Sequence, residues 1–145
     1  MNTTAPAPLW HTMAILVGRL VFGALFAMAA SFKFMSMEGT AGYIAAAGFP
    51  FPLFLAWCAA LFETALTICL LTGAFFTEAA LLAAIYVVFL GFSFHGPSHW
   101  GADQIGQMEF GAFISHFPFA AGLLFAAVKG PGQVLAIRRG IIARA

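Results

Sequence analysis

Long apolar stretches alternate with short polar breaks along this chain, and the stretches have the length that crosses a bilayer. Four runs, at about residues 12–34, 52–72, 77–94 and 108–128, lie near the ~20 residues that span a hydrocarbon core as helix. Local punctuation fits helices at these places. Pro52 falls in the first turn of the second run and Gly73 just past its end. His95-Gly96-Pro97 closes the third run, and Lys129-Gly130-Pro131-Gly132 closes the fourth. Thr77 is positioned to cap the third run, with Glu78 at the positive end of that helix. Pro118, inside the fourth run, is expected to bend it. The pattern predicts an all-α integral membrane four-helix bundle, one domain over residues 1–145.

Composition removes the soluble alternative. Hydrophobic residues make up 63% of the 145 and charged residues 8%, whereas a soluble domain carries roughly 25% charged residues to clothe its surface. The net charge of +1, without a basic block, excludes nucleic acid as a partner and leaves the lipid bilayer as the first one. The cations are uneven: Lys129, Arg138, Arg139 and Arg144 cluster at the C-terminus, while the 73–77 turn and the 95–107 loop have none. The positive-inside rule then puts the C-terminus, and with four spans the N-terminus too, in the cytoplasm. Ala27-Met28-Ala29 resembles a cleavage site, but no Lys or Arg precedes Arg19, so the first span is expected to stay in the mature protein.

Two connections carry further expectations. The small, apolar 35–51 segment should lie on or dip into the outer interface. After Gln133, Val134, Ile137, Ile141 and Ile142 against Arg138, Arg139 and Arg144 suggest a short interfacial C-terminal helix on anionic lipid, with a frayed basic tail as the alternative. Cys58 and Cys69 stand eleven apart on one helix, a rise of roughly 16 Å that no disulfide spans.

Against this background a few polar side chains stand out. Arg19 and Glu63 interrupt apolar runs, where an ionisable group costs about 3 kcal/mol unless it faces a partner or a cavity. Counting rise from the cytoplasmic helix ends places the two at similar depth, so they are expected to form an intramembrane polar pair. That pair is read first as a structural ion pair setting helix register, and second as a proton relay or a donor pair for a small polar headgroup. Arg19, Phe26 and Lys33 recur at seven-residue steps on one face; Lys33 is expected to snorkel outward, with Glu109 as its partner. Glu109 and His116 share a face of the fourth span and, with Lys33, His95 and His99, make a candidate outer polar cluster for a ligand.

Metal and haem do not fit this set. Metal-binding helices space ligands by three or four, and Pro97 spoils the His95–His99 step for a regular helix. Of the histidines only His116 lies well inside a span, and there is no Cys-x-x-Cys-His. The eighteen Phe residues read as packing or lipid-facing, and Trp10, Trp57, Trp100 and Tyr43 as interfacial belts. Gly18, Gly23 and Gly91 are expected where helices approach closely.

Gly18-Arg19-Leu20, Lys33, Gly48-Phe49-Pro50, Glu63, Leu71-Thr72-Gly73 and Gly130-Pro131-Gly132, in this order, resemble the DoxX family of small four-span bacterial membrane proteins. That family includes the small subunit of thiosulfate:quinone oxidoreductase. Thr77 departs from the pattern, since relatives often carry Arg there. The resemblance implies a multi-pass protein of the bacterial inner membrane. It implies a subunit, not catalytic alone, of a quinone-linked oxidoreductase or electron-transfer complex, with quinone as candidate cofactor and other membrane subunits as partners. A structural accessory subunit, a small transporter or proton conductor, and a homo-oligomer stay open, because no independent catalytic motif is present.

Overall fold

A computed structural model describes residues 8–137 and 139–142. Its elements are α1 (Leu9–Met35), α2 (Met37–Ala46), α3 (Pro52–Thr72), α4 (Phe76–His95) and α5 (Gln104–Lys129), with a single 3₁₀ turn at Pro97–His99. No strand occurs among the described residues. The helices α1, α3, α4 (continued through the 3₁₀ turn) and α5 are each long and apolar enough to cross a membrane. The bundle presents side chains such as Ile85, Phe125 and Val128 outward, as expected of a surface whose solvent is hydrocarbon.

Two antiparallel pairs build the bundle. In one, Lys33 of α1 meets Glu63 of α3, and Gly23 lies against Leu71. In the other, Thr77 of α4 bonds the carbonyl of Ala127 on α5, Gly91 abuts His116 and His95 meets Glu109. Helix α4 buries the most, through Ala79, Ala80, Ala83, Ala84 and Val87 at helical spacing. Such a stripe of small residues lets neighbouring backbones come close, the usual means of holding helices together where lipid removes the hydrophobic drive. Leu66, Leu70 and Leu123 fill the space opposite.

The element ends follow local chemistry. Gly73 stops α3 at φ 80°, its N–H donating to the carbonyl of Cys69. A Cβ there would also lie 3.0 Å from Pro131, so conformation and packing both require glycine. Helix α5 begins four residues earlier than its hydropathy suggests because Asp103 accepts the Gly106 N–H at 3.0 Å as an N-cap. It runs through Pro118 without interruption. Helix α4 starts at Phe76, and the Thr77 hydroxyl, expected to cap it, instead donates across to α5.

The two connections take definite forms, and the second corrects its expectation. Part of the 35–51 segment is the helix α2, whose Ala41 and Ile44 pack on Ala56 of α3. The described part of the C-terminal tail is not helical. It folds back across the end of the bundle, with Ile137 N–H donating to the Thr72 carbonyl at 2.8 Å and Phe75 N–H to the Arg139 carbonyl at 2.5 Å. Glu78 accepts from the N–H groups of Ile141 and Ile142. Gly130 and Gly132, both at positive φ, turn the chain into this path. Its backbone groups are then engaged by other elements and are not free for a helical ladder. Arg138 and Arg144, on which the interfacial reading also drew, lie outside the described residues.

Candidate functional site

Arg19 and Glu63 do not meet. The α1–α3 register sets Lys33 opposite Glu63, and Arg19 lies fourteen residues back, about 21 Å of helix rise away. Depth counted from predicted helix ends missed this, because helix ends do not report how two helices slide past each other. Arg19 is 2% exposed and serves the tail. Nη1 donates to the Pro131 carbonyl at 2.9 Å, and Nη2 to those of Val134 and Leu135 at 3.2 and 2.8 Å. One planar fork thus gathers three carbonyls that the non-helical tail leaves free, a geometry suited to guanidinium and not to an ammonium.

At the other end, where α2 packs, lies a cavity of about 790 Å³ walled by all five helices. Its size suits a drug-sized or cofactor-sized molecule. Most of the wall is aromatic or aliphatic, with Phe32, Phe49, Phe62, Phe89 and Phe94 prominent. Helix α2 forms one side through Gly39, Thr40, Tyr43 and Ile44. Tyr43 stacks on Phe94, centroids 5.0 Å apart. Burial pushes the Tyr43 phenol up from its ordinary value, with the Glu109 carboxylate adding to the shift. It therefore stays a neutral hydroxyl at physiological pH.

Polar groups reach this cavity from two walls. On one, Lys33 and Tyr86 line the space and both lead to Glu63 behind them. Lys33 Nζ sits 2.9 Å from Glu63 Oε2, and the Tyr86 hydroxyl donates to Oε1 at 2.8 Å. Glu63 itself is 1% exposed, so its charge depends on these two partners. Lys33 is thus turned inward and does not snorkel, and its partner is Glu63 instead of Glu109. The reason is the same register: an intramembrane carboxylate one helix away is a better counter-charge than a distant interface.

On the other wall are His95 and His116, ring centroids 5.3 Å apart. Glu109 stands behind His95, Oε2 at 2.6 Å from Nδ1. Trp100 donates its indole N–H to the His95 carbonyl at 2.9 Å, tying the loop after α4 to that residue. His99 is exposed on the 3₁₀ turn beside Ser98 and takes no part in the lining.

Of the residues singled out from sequence, Lys33, His95 and His116 line the cavity, and Glu63 and Glu109 each support one of them. Arg19 belongs to a different place. Tyr86, Cys58 and the cavity-facing Phe residues were not anticipated, and Tyr43, assigned to an interfacial belt, lines the cavity. A phenol inside the apolar run Leu81–Phe92 was the one readable signal for Tyr86. Among the described residues no group of three or more His, Cys, Asp or Glu is placed to hold a metal ion.

The family model described as DoxX matches residues 14–96, which include α1 to α4 from Ala14 to His95. The chain is 28% identical over 127 residues to the inner membrane protein YphA of Escherichia coli (strain K12), covering 86% of this chain and 89% of that protein. No solved structure matches it.

Proposed function

This chain belongs to the DoxX family, and from that premise we propose that it binds a quinone-type molecule in the α2-end cavity as a membrane subunit of an electron-transfer assembly. On this reading it resides in a bacterial inner membrane, as its relative YphA does by name, with both termini cytoplasmic. The observation that carries the proposal is an aromatic cavity with an ammonium donor, Lys33, held on its wall. A quinone has a flat ring with oxygens at opposite edges and an apolar tail. The Phe side chains suit the ring and tail, while Lys33, still holding unused N–H donors, suits one oxygen.

Glu63 supports the reading indirectly. With Lys33 and Tyr86 attached, it holds one ammonium donor and one phenol oxygen at fixed positions on the cavity wall. The chain supplies binding and orientation, and its redox partner supplies the electron transfer.

The test is co-purification. Protein solubilised gently from its native membrane is extracted with organic solvent and the extract analysed for quinone. About one quinone per chain is expected, falling several-fold in Glu63→Gln, together with slower respiratory electron flow. No retained quinone, no binding of added decylubiquinone and unchanged electron flow in Glu63→Gln would overturn the proposal.

A further inference from the structure

The two imidazoles bear on which form of ligand the cavity takes. His116 Nδ1 lies 2.7 Å from the carbonyl oxygen of Ala112, one turn earlier on α5. A carbonyl only accepts, so Nδ1 carries the proton, and Nε2 of the neutral ring is a bare acceptor. His95 Nδ1 faces Glu109 Oε2 at 2.6 Å, and an ionised carboxylate only accepts, so this nitrogen is turned to Glu109 and not to the cavity. Both rings line the cavity. The backbone of α4 helps to hold His116, for a Cβ at Gly91 would come 3.1 Å from its Cβ and Cγ.

We propose that the cavity selects a hydroxyl-bearing aromatic ligand, a hydroquinone or phenol, with the hydroxyl donating to Nε2 of His116. This rests on the quinone-site reading above and adds the preferred form. A quinone offers only acceptors, so against this wall it meets a further acceptor and leaves it unpaired. A hydroquinone satisfies both walls. One hydroxyl oxygen accepts from Lys33, and the opposite O–H donates to an imidazole. Glu109 acts as a positioning residue, because it holds the His95 ring beside His116 without lining the cavity itself.

The experiment uses the full chain in lipid nanodiscs under anaerobic conditions, with ligand binding followed by tryptophan fluorescence. Three probes of nearly equal size are compared: decylubiquinone, decylubiquinol and the dimethyl ether of decylubiquinol, which has the reduced ring but no O–H. Decylubiquinol is expected to bind about tenfold more tightly than either of the others, the equivalent of one satisfied buried acceptor. His116→Phe, which keeps an aromatic ring but no acceptor, should reduce that preference to threefold or less. Equal binding of all three probes by the unsubstituted protein, within twofold, would overturn the selectivity and leave the quinone site standing. Binding of none of them would remove both.

Discussion

Two buried charges of this chain are held by different kinds of partner, and their substitutions should differ accordingly. Lys33 is 21% exposed at its side chain and Glu63 2%. Removing the lysine strands a carboxylate with no route to water, whereas removing the carboxylate leaves an ammonium on a long stem that can reach outward. Lys33→Met is therefore expected to cost about 3 kcal/mol and Glu63→Gln only about 1 kcal/mol. The double variant should lie close to Glu63→Gln, and thermal unfolding in detergent checks the ordering; equal losses for the two single variants would contradict it. Arg19 behaves differently because its partners are carbonyls in a fork. Arg19→Lys keeps the charge but cannot reach three carbonyls at once. Amide hydrogen exchange over residues 133–137 should then quicken at least tenfold, with exchange in α2 unchanged.

Among the elements, the start of α5 and the loop before it are the most tightly coupled to the cavity. A Cβ at Gly106 would lie 2.1 Å from the backbone nitrogen of Gly101, a contact no side-chain rotation relieves. Gly106→Ala should push the 96–103 loop away and loosen Trp100 from His95, lowering stability by about 1–3 kcal/mol. Gly111→Ala makes the control. Nothing lies within 4 Å of a Cβ there, and alanine is the better helix former, so stability should hold or rise by up to about 1 kcal/mol. A red shift of tryptophan emission in the first variant and none in the second is the expected reading. Helix α2 shows how an element can escape hydropathy: it is too short to span and too apolar to look like a surface helix. What stabilises it is Ala41 and Ile44 packed on Ala56, a tertiary contact.

For the molecule as a whole, the two ends of the bundle have separate duties. The tail, Arg19 and Glu78 close one end, and the cavity with Lys33, Glu63, His95 and His116 occupies the other. Ending the chain at Lys129 should therefore lower the melting temperature, since Arg19 loses all three carbonyls, a cost on the order of 3–5 kcal/mol. Affinity for decylubiquinol should stay within about twofold of the full chain. Adding Arg19→Met to the shortened chain should recover part of the lost stability. A large loss of affinity on shortening would mean that the two ends are coupled.

The four helices long and apolar enough to cross a membrane, their ends at Gly73 and Gly130, and the rarity of the charges at 19, 33 and 63 were all legible along the chain. Each is a local matter: hydropathy over twenty residues, a left-handed turn that needs glycine, a desolvation cost borne by one side chain. The partners of those charges were not legible. Glu63 belongs to Lys33 and Tyr86, and Arg19 to a tail more than 110 residues away. Which carboxylate meets which cation depends on how far one helix slides along another. Packing of small residues between helices sets that slide, and only the assembled bundle decides it.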